Sequence, residues 1–317
     1  MANRRLNGKL VTLFGGGGFV GRYIAQLLLA DGARLRVAER EPKSAYAIRA
    51  LGSLGQVQFV PADITKPNTV AAACAGADIV INLVGILNGD FEAVHVKGAE
   101  NVAKAAKAAG ADRMVHFSAL GADLDSPSAY GRSKAEGEAA VRAAFPDATI
   151  LRPSFIFGQE DKFTNRFAEY FCGFNAMPIV MGGTKMQPVY VEDVARAVHA
   201  AVVDPDNAAG NTYELGGPET TTMRGLLFWI GRACQQTVYP ITIPDSISGL
   251  IAKATGWLPG APITYDQWLM LQKDNVVADG AKTLTDLGVT PTPMSAVADS
   301  WMVQYRPHGR FDVKAKA

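Results

Sequence analysis

The residues best suited to chemistry in this chain are a tyrosine and a lysine four positions apart, with a serine upstream. Tyr130 and Lys134 stand at the start of a predicted helix, so their side chains project from the same face. A nearby ammonium stabilises a phenolate and lowers the pKa of the phenol, which lets a tyrosine donate or accept a proton. Ser118 ends a predicted strand, where its hydroxyl can hold a substrate carbonyl. The three residues predict proton transfer to or from a substrate oxygen.

A glycine-rich segment near the start of the chain indicates what such a site would bind. Residues 15–21 read Gly-Gly-Gly-Gly-Phe-Val-Gly and directly follow the apolar run 10–14. A glycine turn between a strand and a helix lets a pyrophosphate reach the free N–H groups of the first helical turn. The glycine spacing fits two patterns, Gly16-x-Gly18-x-x-Gly21 and Gly15-x-x-Gly18-x-x-Gly21. Either pattern predicts a dinucleotide site.

The end of the second predicted strand bears on which dinucleotide is bound. Glu39 and Arg40 lie there. A carboxylate at this position accepts from the ribose 2′-hydroxyl of NADH, whereas an arginine pairs with the 2′-phosphate of NADPH. Because both residues are present, the residues alone leave the choice between NADPH and NADH open. Asp63, just past the third strand, is placed either to meet the adenine ring or to cap the helix that begins near Pro67.

Short β-rich runs that alternate with alanine-rich helices predict the fold. The predicted strands are 10–14, 35–38, 57–61, 79–84, 114–118 and 149–151. This alternation is typical of an α/β fold with a Rossmann-type doubly wound parallel sheet. From about residue 163 the pattern changes and predicts a smaller, interleaved C-terminal α/β lobe. We expect an NAD(P)-binding domain at 1–162, rejoined by 186–216, and a substrate- or partner-facing lobe at 163–185 and 217–317.

Composition and charge exclude several classes of function. With 317 residues, 48% of them hydrophobic, the chain is long enough for a large core and a smaller second unit. Its 31 basic and 30 acidic side chains leave a formal net charge of +1, so no nucleic acid partner is expected. Metal-ligand or disulfide spacing is absent among Cys74, Cys172, Cys234, His95, His116, His199 and His308. We expect no metal, reduced thiols and a cytoplasmic protein.

One segment of the predicted second lobe is amphipathic. Its apolar residues recur every three or four positions, at Ile247, Leu250, Ile251, Ala254, Trp257 and Leu258. Asp245 or Ser246 is placed to cap this helix. The apolar face either packs on its own lobe or contacts a partner or a membrane interface. No run of the chain approaches the roughly 18 charge-free apolar residues of a transmembrane segment, so any membrane contact is expected to be peripheral.

Several motifs together resemble the extended or atypical short-chain dehydrogenase/reductase superfamily, over nearly the whole chain. They are the glycine loop, Asn82-Leu83-Val84-Gly85, Ser118, Tyr130-x-x-x-Lys134, Leu151-Arg152-Pro153 and Val191-Glu192-Asp193-Val194-Ala195. A second set is similar to the NADPH-binding accessory subunit of respiratory complex I (NADH:ubiquinone oxidoreductase) and its bacterial relatives. That set comprises Phe14, Gly21-Arg22-Tyr23, the 82–85 motif, and the segments 157–161, 187–191 and 286–293.

The resemblance implies roles for particular residues. The pyrophosphate would be held by Gly15, Gly18 and Gly21, the 2′-phosphate by Arg40, the adenine by Asp63, and the nicotinamide ribose by Tyr130 with Lys134. Further implied nucleotide contacts are Gly17, Phe19, Val20, Ile64, Leu83, Val84, Gly85 and Pro153. In the accessory subunit, NADPH is held tightly for structural reasons. Glu39 departs from a clean phosphate pocket and keeps NADH as an alternative.

Two functions are compatible with this resemblance. In the first, the protein holds the nucleotide as an accessory or assembly protein of complex I or of ubiquinone metabolism, at the cytoplasmic face of a bacterial inner membrane. A yeast relative acts in coenzyme Q biosynthesis. In the second, it is an active NADPH-dependent reductase of a quinone or carbonyl substrate. Ser118 then polarises the substrate, Tyr130 donates the proton and Lys134 orients the reacting groups. The sequence leaves turnover open.

Overall fold

A computed structural model gives the structure of residues 4–256, 263–307 and 309. The strands are β1 (Leu10–Phe14), β2 (Arg34–Glu39), β3 (Val57–Pro61), β4 (Ile79–Asn82), β5 (Arg113–Phe117), β6 (Thr149–Pro153), β7 (Ile156–Phe157), β8 (Ala176–Ile179), β9 (Lys185–Met186), β10 (Val189–Tyr190), β11 (Thr212–Leu215), β12 (Thr221–Thr222) and β13 (Tyr239–Thr242). The α-helices are α1 (Phe19–Ala30), α2 (Pro67–Cys74), α3 (Ala99–Ala108), α4 (Ala129–Ala144), α5 (Lys162–Gly173), α6 (Val191–Val203), α7 (Pro205–Ala208), α8 (Met223–Ala233), α9 (Asp245–Thr255), α10 (Tyr265–Met270), α11 (Met294–Val297) and α12 (Asp299–Met302). A 3-10 helix forms Pro42–Leu51, and a π-helical turn, Glu92–Gly98, leads into α3.

The main sheet has seven parallel strands in the order β11-β6-β5-β4-β1-β2-β3. The chain starts in the middle with β1, builds outward through β2 and β3, and then restarts at β4 on the other side. This is the doubly wound order of Rossmann folds, with the switch point between β1 and β4. The α/β fold class expected from the sequence is confirmed.

The chain forms two compact units. The first comprises residues 4–153, 191–215 and 277–290 and contains the seven-stranded sheet. Valines, isoleucines and leucines make up most of β1 and β4, as expected for strands that are buried on both faces, and β5 contributes the buried Met114, Val115 and Phe117. A large alanine-rich cluster packs α2, α3 and α4 against the sheet, because small side chains let helix and strand backbones approach closely.

The second unit comprises residues 154–190, 216–256 with 263–276, and 291–307 with 309. It contains three two-stranded sheets, which pair β7 with β10, β9 with β12, and β8 with β13. Aromatic, leucine and methionine side chains of α5, α8 and α12 form its own core. The short strands β9 and β10 lie on either side of Gln187-Pro188.

The segment 277–290 belongs to the first unit, whereas the sequence placed all of 217–317 in the smaller lobe. Its backbone runs beside β11. The Glu214 N–H donates to the Lys282 carbonyl at 2.8 Å, and the Ala278 N–H donates to the Glu214 carboxylate at 2.8 Å. These bonds join residues more than sixty positions apart, so no local pattern in the sequence reports them.

Helix α9 confirms the predicted helix but not its cap, and it decides between the two orientations that the sequence left open. Ser248, Gly249 and Ala252 are its buried residues, and the Trp268 indole N–H donates to Ser248 Oγ at 2.9 Å. Large side chains of the predicted apolar face are exposed: Ile247 (50%), Leu250 (69%) and Ile251 (42%). The N-cap is Pro244, and neither Asp245 nor Ser246 caps the helix with its side chain. Trp257 and Leu258 lie outside the described residues.

Candidate functional site

The carboxyl ends of the parallel strands bring most of the predicted site residues to one edge of the first unit. In the register, Phe14 of β1 pairs with Ala38 of β2 and with Asn82 of β4, and Asn82 pairs with His116 of β5. Glu39, the last residue of β2, therefore lies at the same edge as the residues that follow β1, β4 and β5, which are Gly15, Leu83 and Ser118. Ligands of doubly wound sheets bind at this edge, beside the switch point.

The turn between β1 and α1 is shaped by glycines at close backbone contacts. Gly15 has φ +76°, and a Cβ placed on it would lie 3.3 Å from Val84 N. A Cβ on Gly21 would overlap the Gly16 carbonyl oxygen. Gly18 is the N-cap of α1, with no side-chain cap and no acidic residue in the first turn, which contains Phe19 and Val20. The first-turn N–H groups are therefore open to an anion.

Glu39 contacts the glycine turn directly. Its Oε1 accepts a hydrogen bond from the Gly17 N–H at 2.6 Å. Burial raises the pKa of this carboxyl, while the Gly17 bond and the Arg40 charge oppose the rise. Arg40 itself is exposed, and its guanidinium makes no hydrogen bond or ion pair with any residue that the structure describes. The carboxylate is held in place and the guanidinium remains open to a ligand.

The loop after β4 is held against this turn by buried polar groups. The Leu83 N–H donates to the Phe14 carbonyl at 3.0 Å. Asn82 Oδ1 accepts from the Val84 N–H at 3.1 Å, and Asn82 Nδ2 donates to His116 Nδ1 at 3.3 Å. The side chains of Asn82 and His116 therefore fix the predicted contact residues Leu83, Val84 and Gly85. His116 was not predicted at the site, because nothing in its sequence neighbourhood distinguishes it from a core residue.

Asp63 and Ile64 have local partners. Asp63 Oδ1 accepts from the Thr65 N–H at 3.0 Å and from the Thr65 hydroxyl at 2.8 Å, and the hydroxyl bond is the largest cause of the lowered pKa of Asp63. Ile64 is buried in the core of the first unit, and its carbonyl accepts from Asn101 at 2.9 Å. Asp63 thus stabilises the turn before α2, although the N-cap of α2 is Lys66. Adenine contacts by these two residues stay predictions.

The first two turns of α4 carry the tyrosine and the lysine, and Ser128 caps the helix by accepting from the Gly131 N–H. Lys134 is buried, and its Nζ donates to the Phe117 carbonyl at 2.8 Å, one residue before Ser118. Ser118 is 5% exposed, and its Oγ has no hydrogen-bond partner in the described part of the chain. The helix and the end of β5 are thereby joined, and the Ser118 hydroxyl remains available to a ligand. Pro153 ends β6, where its carbonyl accepts from the Leu120 N–H at 3.1 Å.

The pKa of Tyr130 is not lowered as the sequence analysis expected. Burial raises it to about 12, because the phenolate would lose its hydration. Burial also lowers the pKa of Lys134 to about 8, partly offset by the charge of Glu138. Burial is the cause of the shift, and it outweighs the effect expected from the neighbouring ammonium. At neutral pH the phenol is protonated.

Comparison with known proteins agrees with this geometry. Residues 11–216 match the NAD dependent epimerase/dehydratase family. The chain belongs to this family. It is 37% identical over 297 residues to NADH dehydrogenase (ubiquinone) 1 alpha subcomplex subunit 9, mitochondrial, of Mus musculus, covering 91% of this chain and 78% of that protein. It is 34% identical over 320 residues to the protein of the same name in Arabidopsis thaliana, covering 96% and 80%. The resemblance to the dehydrogenase superfamily and to the complex I subunit is confirmed.

A solved structure supports the fold. The NADPH-dependent quinone oxidoreductase of Escherichia coli, in complex with NADPH, superposes with a TM-score of 0.73 at 21% identity, covering 92% of this chain and 98% of that chain. This likeness concerns the fold alone. As a member of the NAD dependent epimerase/dehydratase family, the protein is expected to place a nicotinamide dinucleotide at the carboxyl edge of its parallel sheet.

The site fits the dinucleotide that the family binds. The glycine turn leaves no side chain over the open N-terminus of α1, and Gly18 is exposed there. The buried Ser118 hydroxyl and the first turn of α4 lie at the other end of the same edge. When bound, the nicotinamide would supply or accept hydride equivalents. The chain itself supplies N–H donors for an anion, a protonated phenol at Tyr130 and a hydroxyl for a substrate oxygen.

Two polar residues near Tyr130 were not predicted. His95 lies within hydrogen-bond distance of Ser133 Oγ at 2.9 Å, and Ser133 donates to the Tyr130 carbonyl at 2.9 Å. Only the helical spacing of Ser133 relative to Tyr130 could have suggested that the serine lies near the site. His199 also has a partner that the sequence did not indicate, Asp31 Oδ2 at 2.9 Å. Within the described ranges, no group of three or more metal-binding side chains forms. His308 lies outside them.

The low pKa of Lys134 predicts how stability depends on pH. The folded pKa is about 8, below the roughly 10.4 of an unfolded lysine. Between these values the unfolded chain binds a proton that the folded chain has lost, so the free energy of unfolding should rise with pH. Relative to Lys134→Met, the wild-type protein should gain about 3 kcal/mol across this window in urea unfolding experiments. The lowered pKa of Lys134 would be contradicted if the difference in free energy of unfolding between the two proteins did not change with pH.

Proposed function

We propose that this protein holds a nicotinamide dinucleotide, NADPH in preference to NADH, as an accessory or assembly protein of a respiratory complex I or of ubiquinone metabolism. The observation that carries the binding proposal is the uncapped N-terminus of α1 beside a glycine turn with no room for side chains. The relatives named as subunits of NADH dehydrogenase support the assignment to respiratory machinery.

The proton-transfer groups also favour a holding role. A reductase tyrosine works best with a pKa near the operating pH, because the proton must be released and replaced in each turnover. Burial raises the pKa of Tyr130 to about 12, and the Lys134 ammonium is bonded to the Phe117 carbonyl. Both groups are therefore well placed to bind the ribose hydroxyls of a nucleotide through neutral and charged hydrogen bonds.

The preference for NADPH rests on Arg40, with Glu39 acting against it. The exposed guanidinium is free to pair with a 2′-phosphate in two-pronged fashion. The Glu39 carboxylate beside it is fixed by the Gly17 N–H and repels a dianion. We assign the selectivity to the balance between these two neighbouring charges.

Arg40→Ala should weaken NADPH binding by about 10- to 100-fold, because a charge-assisted bond to phosphate is lost, while NADH binding changes little. Glu39→Gln should raise the ratio of NADPH to NADH affinity. Titration calorimetry with both nucleotides measures the two effects. Arg34→Ala, an exposed arginine at the opposite end of β2, is the matched control. The assignment of selectivity to these two charges would be refuted if the protein bound NADPH and NADH equally tightly and Arg40→Ala changed neither affinity.

An active reductase of a quinone or carbonyl substrate is the second candidate function. The observation in its favour is the buried Ser118 hydroxyl, which lacks a partner among the described residues. Leaving such a group unbonded costs roughly 1–3 kcal/mol, so a ligand oxygen that bonds to it would be favoured. In this alternative Ser118 polarises the substrate, Tyr130 gives its phenolic proton to the substrate oxygen, and Lys134 orients the nucleotide.

Tyr130→Phe separates the two functions. For an accessory protein, NADPH that is loaded onto the wild type should persist in the presence of a soluble ubiquinone analogue or a panel of carbonyl compounds, and the variant should behave alike. The absorbance of the reduced nicotinamide reports oxidation. Steady wild-type oxidation that Tyr130→Phe slows by about 10²- to 10⁴-fold would establish the reductase instead. Tyr213→Phe is the control, because the Tyr213 hydroxyl on β11 donates to the Asn207 carbonyl of α7.

We further propose that the exposed face of α9, defined by Ile247, Leu250 and Ile251, contacts a membrane surface peripherally. Tyr239 and Ile241 of β13, in the same unit, are also more than half exposed. Between residues 236 and 256 the only charged side chains are Asp245 and Lys253. Large apolar side chains on one face of a helix are what interfacial helices bury at the boundary between headgroups and acyl chains. In the described residues, no helix is both long and apolar enough to cross a bilayer.

Sedimentation with vesicles of phosphatidylcholine and an anionic phospholipid tests this contact. Leu250→Asp should lower the bound fraction about tenfold or more, because burying a leucine contributes roughly 1.5–3 kcal/mol. Leu54→Asp is the matched control, since Leu54 is fully exposed but lies in the first unit. Absence of wild-type binding, or equal losses in both variants, would exclude a lipid contact through α9.

A further inference from the structure

His95 occupies an unusual place beside the candidate site. It lies on the π-helical turn Glu92–Gly98 and is 2% exposed. Its ring stacks on Phe91 with 5.3 Å between centroids and meets the Tyr130 ring edge-on at 5.4 Å. Turns of π-helix are rare and often occur at functional sites, since they shift a side chain out of the regular helical register. The residue that this turn carries next to Tyr130 is a histidine.

The hydrogen bonds of His95 determine its tautomer. Nε2 lies 3.0 Å from the Ile86 backbone nitrogen, which can only donate, so Nε2 accepts. In a neutral ring the proton is then on Nδ1, 2.9 Å from Ser133 Oγ. Since Ser133 gives its own proton to the Tyr130 carbonyl at 2.9 Å, its oxygen accepts from Nδ1. Every polar atom in this chain of bonds has a partner.

Burial keeps the ring in the neutral form that this arrangement needs. The pKa of His95 is lowered to about 4 by burial first and by the charge of Lys134 second. A protonated ring would turn Nε2 into a donor that faces the Ile86 N–H. The hydrogen-bonded link from the Ile86 N–H through His95 and Ser133 to the Tyr130 carbonyl is therefore intact at neutral pH.

The two ends of this link are the two segments that flank the nicotinamide end of the site. One is the loop after β4, with Gly85 and Ile86, and the other is the first two turns of α4, with Tyr130 and Lys134. A Cβ placed on Gly85 would lie 3.7 Å from both His95 Nε2 and Lys134 Nζ. Gly85 thus faces the histidine and the lysine at the same point.

We propose that His95 is a positioning residue for the nicotinamide half of the bound nucleotide. Through Ile86 and Ser133 it sets the separation between the Gly85–Ile86 backbone and the first turn of α4. This inference rests on the proposed nucleotide binding. The adenosine half contacts the opposite side of the switch point, at the ends of β2 and β3, and is independent of His95.

The test compares ligands that fill different parts of the site. His95→Phe keeps a flat ring but removes both hydrogen bonds. Dissociation constants are measured for NADPH and for the adenosine-side fragments 2′,5′-ADP and ADP. His95→Phe should weaken NADPH binding about 10- to 100-fold and leave fragment binding within about twofold. Ser133→Ala removes only the partner of His95 Nδ1, so it should weaken NADPH binding by a smaller factor. It replaces His95→Phe in the test if that variant fails to fold.

The outcomes separate this inference from the nucleotide proposal. His95→Gln, whose amide can accept from the Ile86 N–H, should recover part of the NADPH affinity. His199→Phe, a histidine on α6 paired with Asp31, should change neither ligand. Unchanged NADPH affinity in both His95→Phe and Ser133→Ala, or equal losses for NADPH and the fragments, would overturn the positioning role while leaving nucleotide binding in place. A wild-type protein that binds none of the ligands would refute the nucleotide proposal itself.

Discussion

The close approach of backbone segments at the turn between β1 and α1 is the constraint on which the rest of the first unit depends. Gly15 adopts a left-handed conformation against Val84, and Gly21 lies against the Gly16 carbonyl. Side chains at these points would push α1 away from the sheet and from α6, against which it packs. The same contacts leave the N-terminus of α1 uncovered. The packing of the sheet and the anion site are therefore one feature of the molecule.

Buried polar groups that bond to one another hold neighbouring strands, loops and helices together. Asn82 joins His116 to the loop after β4, and Lys134 joins α4 to the end of β5. Farther along the sheet, Arg152 makes a two-pronged bond to Glu138 and also contacts Glu214. Among buried side-chain polar atoms in the described residues, only Ser118 Oγ and Trp301 Nε1 lack a partner. Trp301 belongs to the second unit, so within the described part of the first unit the polar framework is closed except at Ser118, where a ligand is expected.

The second unit shows how helix packing overrides an amphipathic pattern. In α9 the small residues Ser248, Gly249 and Ala252 are buried, because the Trp268 ring packs over Gly249 and bonds to Ser248. A large side chain at Gly249 would collide with that ring. The aliphatic side chains are left on the outer side of the helix. The sequence left open whether this face packs on its own lobe or contacts another surface, and in the structure its large side chains are exposed.

Sequence alone determined the features that rest on local periodicity and on residue type. Strands β1 and β3 have the predicted bounds, and the glycine turn and the spacing of Tyr130 and Lys134 are visible without coordinates. Only the tertiary structure decided the high pKa of Tyr130 and the bond of Lys134 to Phe117, because both depend on burial by distant segments. It alone brought His95 to Ser133, 38 positions away. Helices, strands and turns depend on neighbouring residues, whereas burial and polar partners depend on contacts between residues that are far apart in the chain.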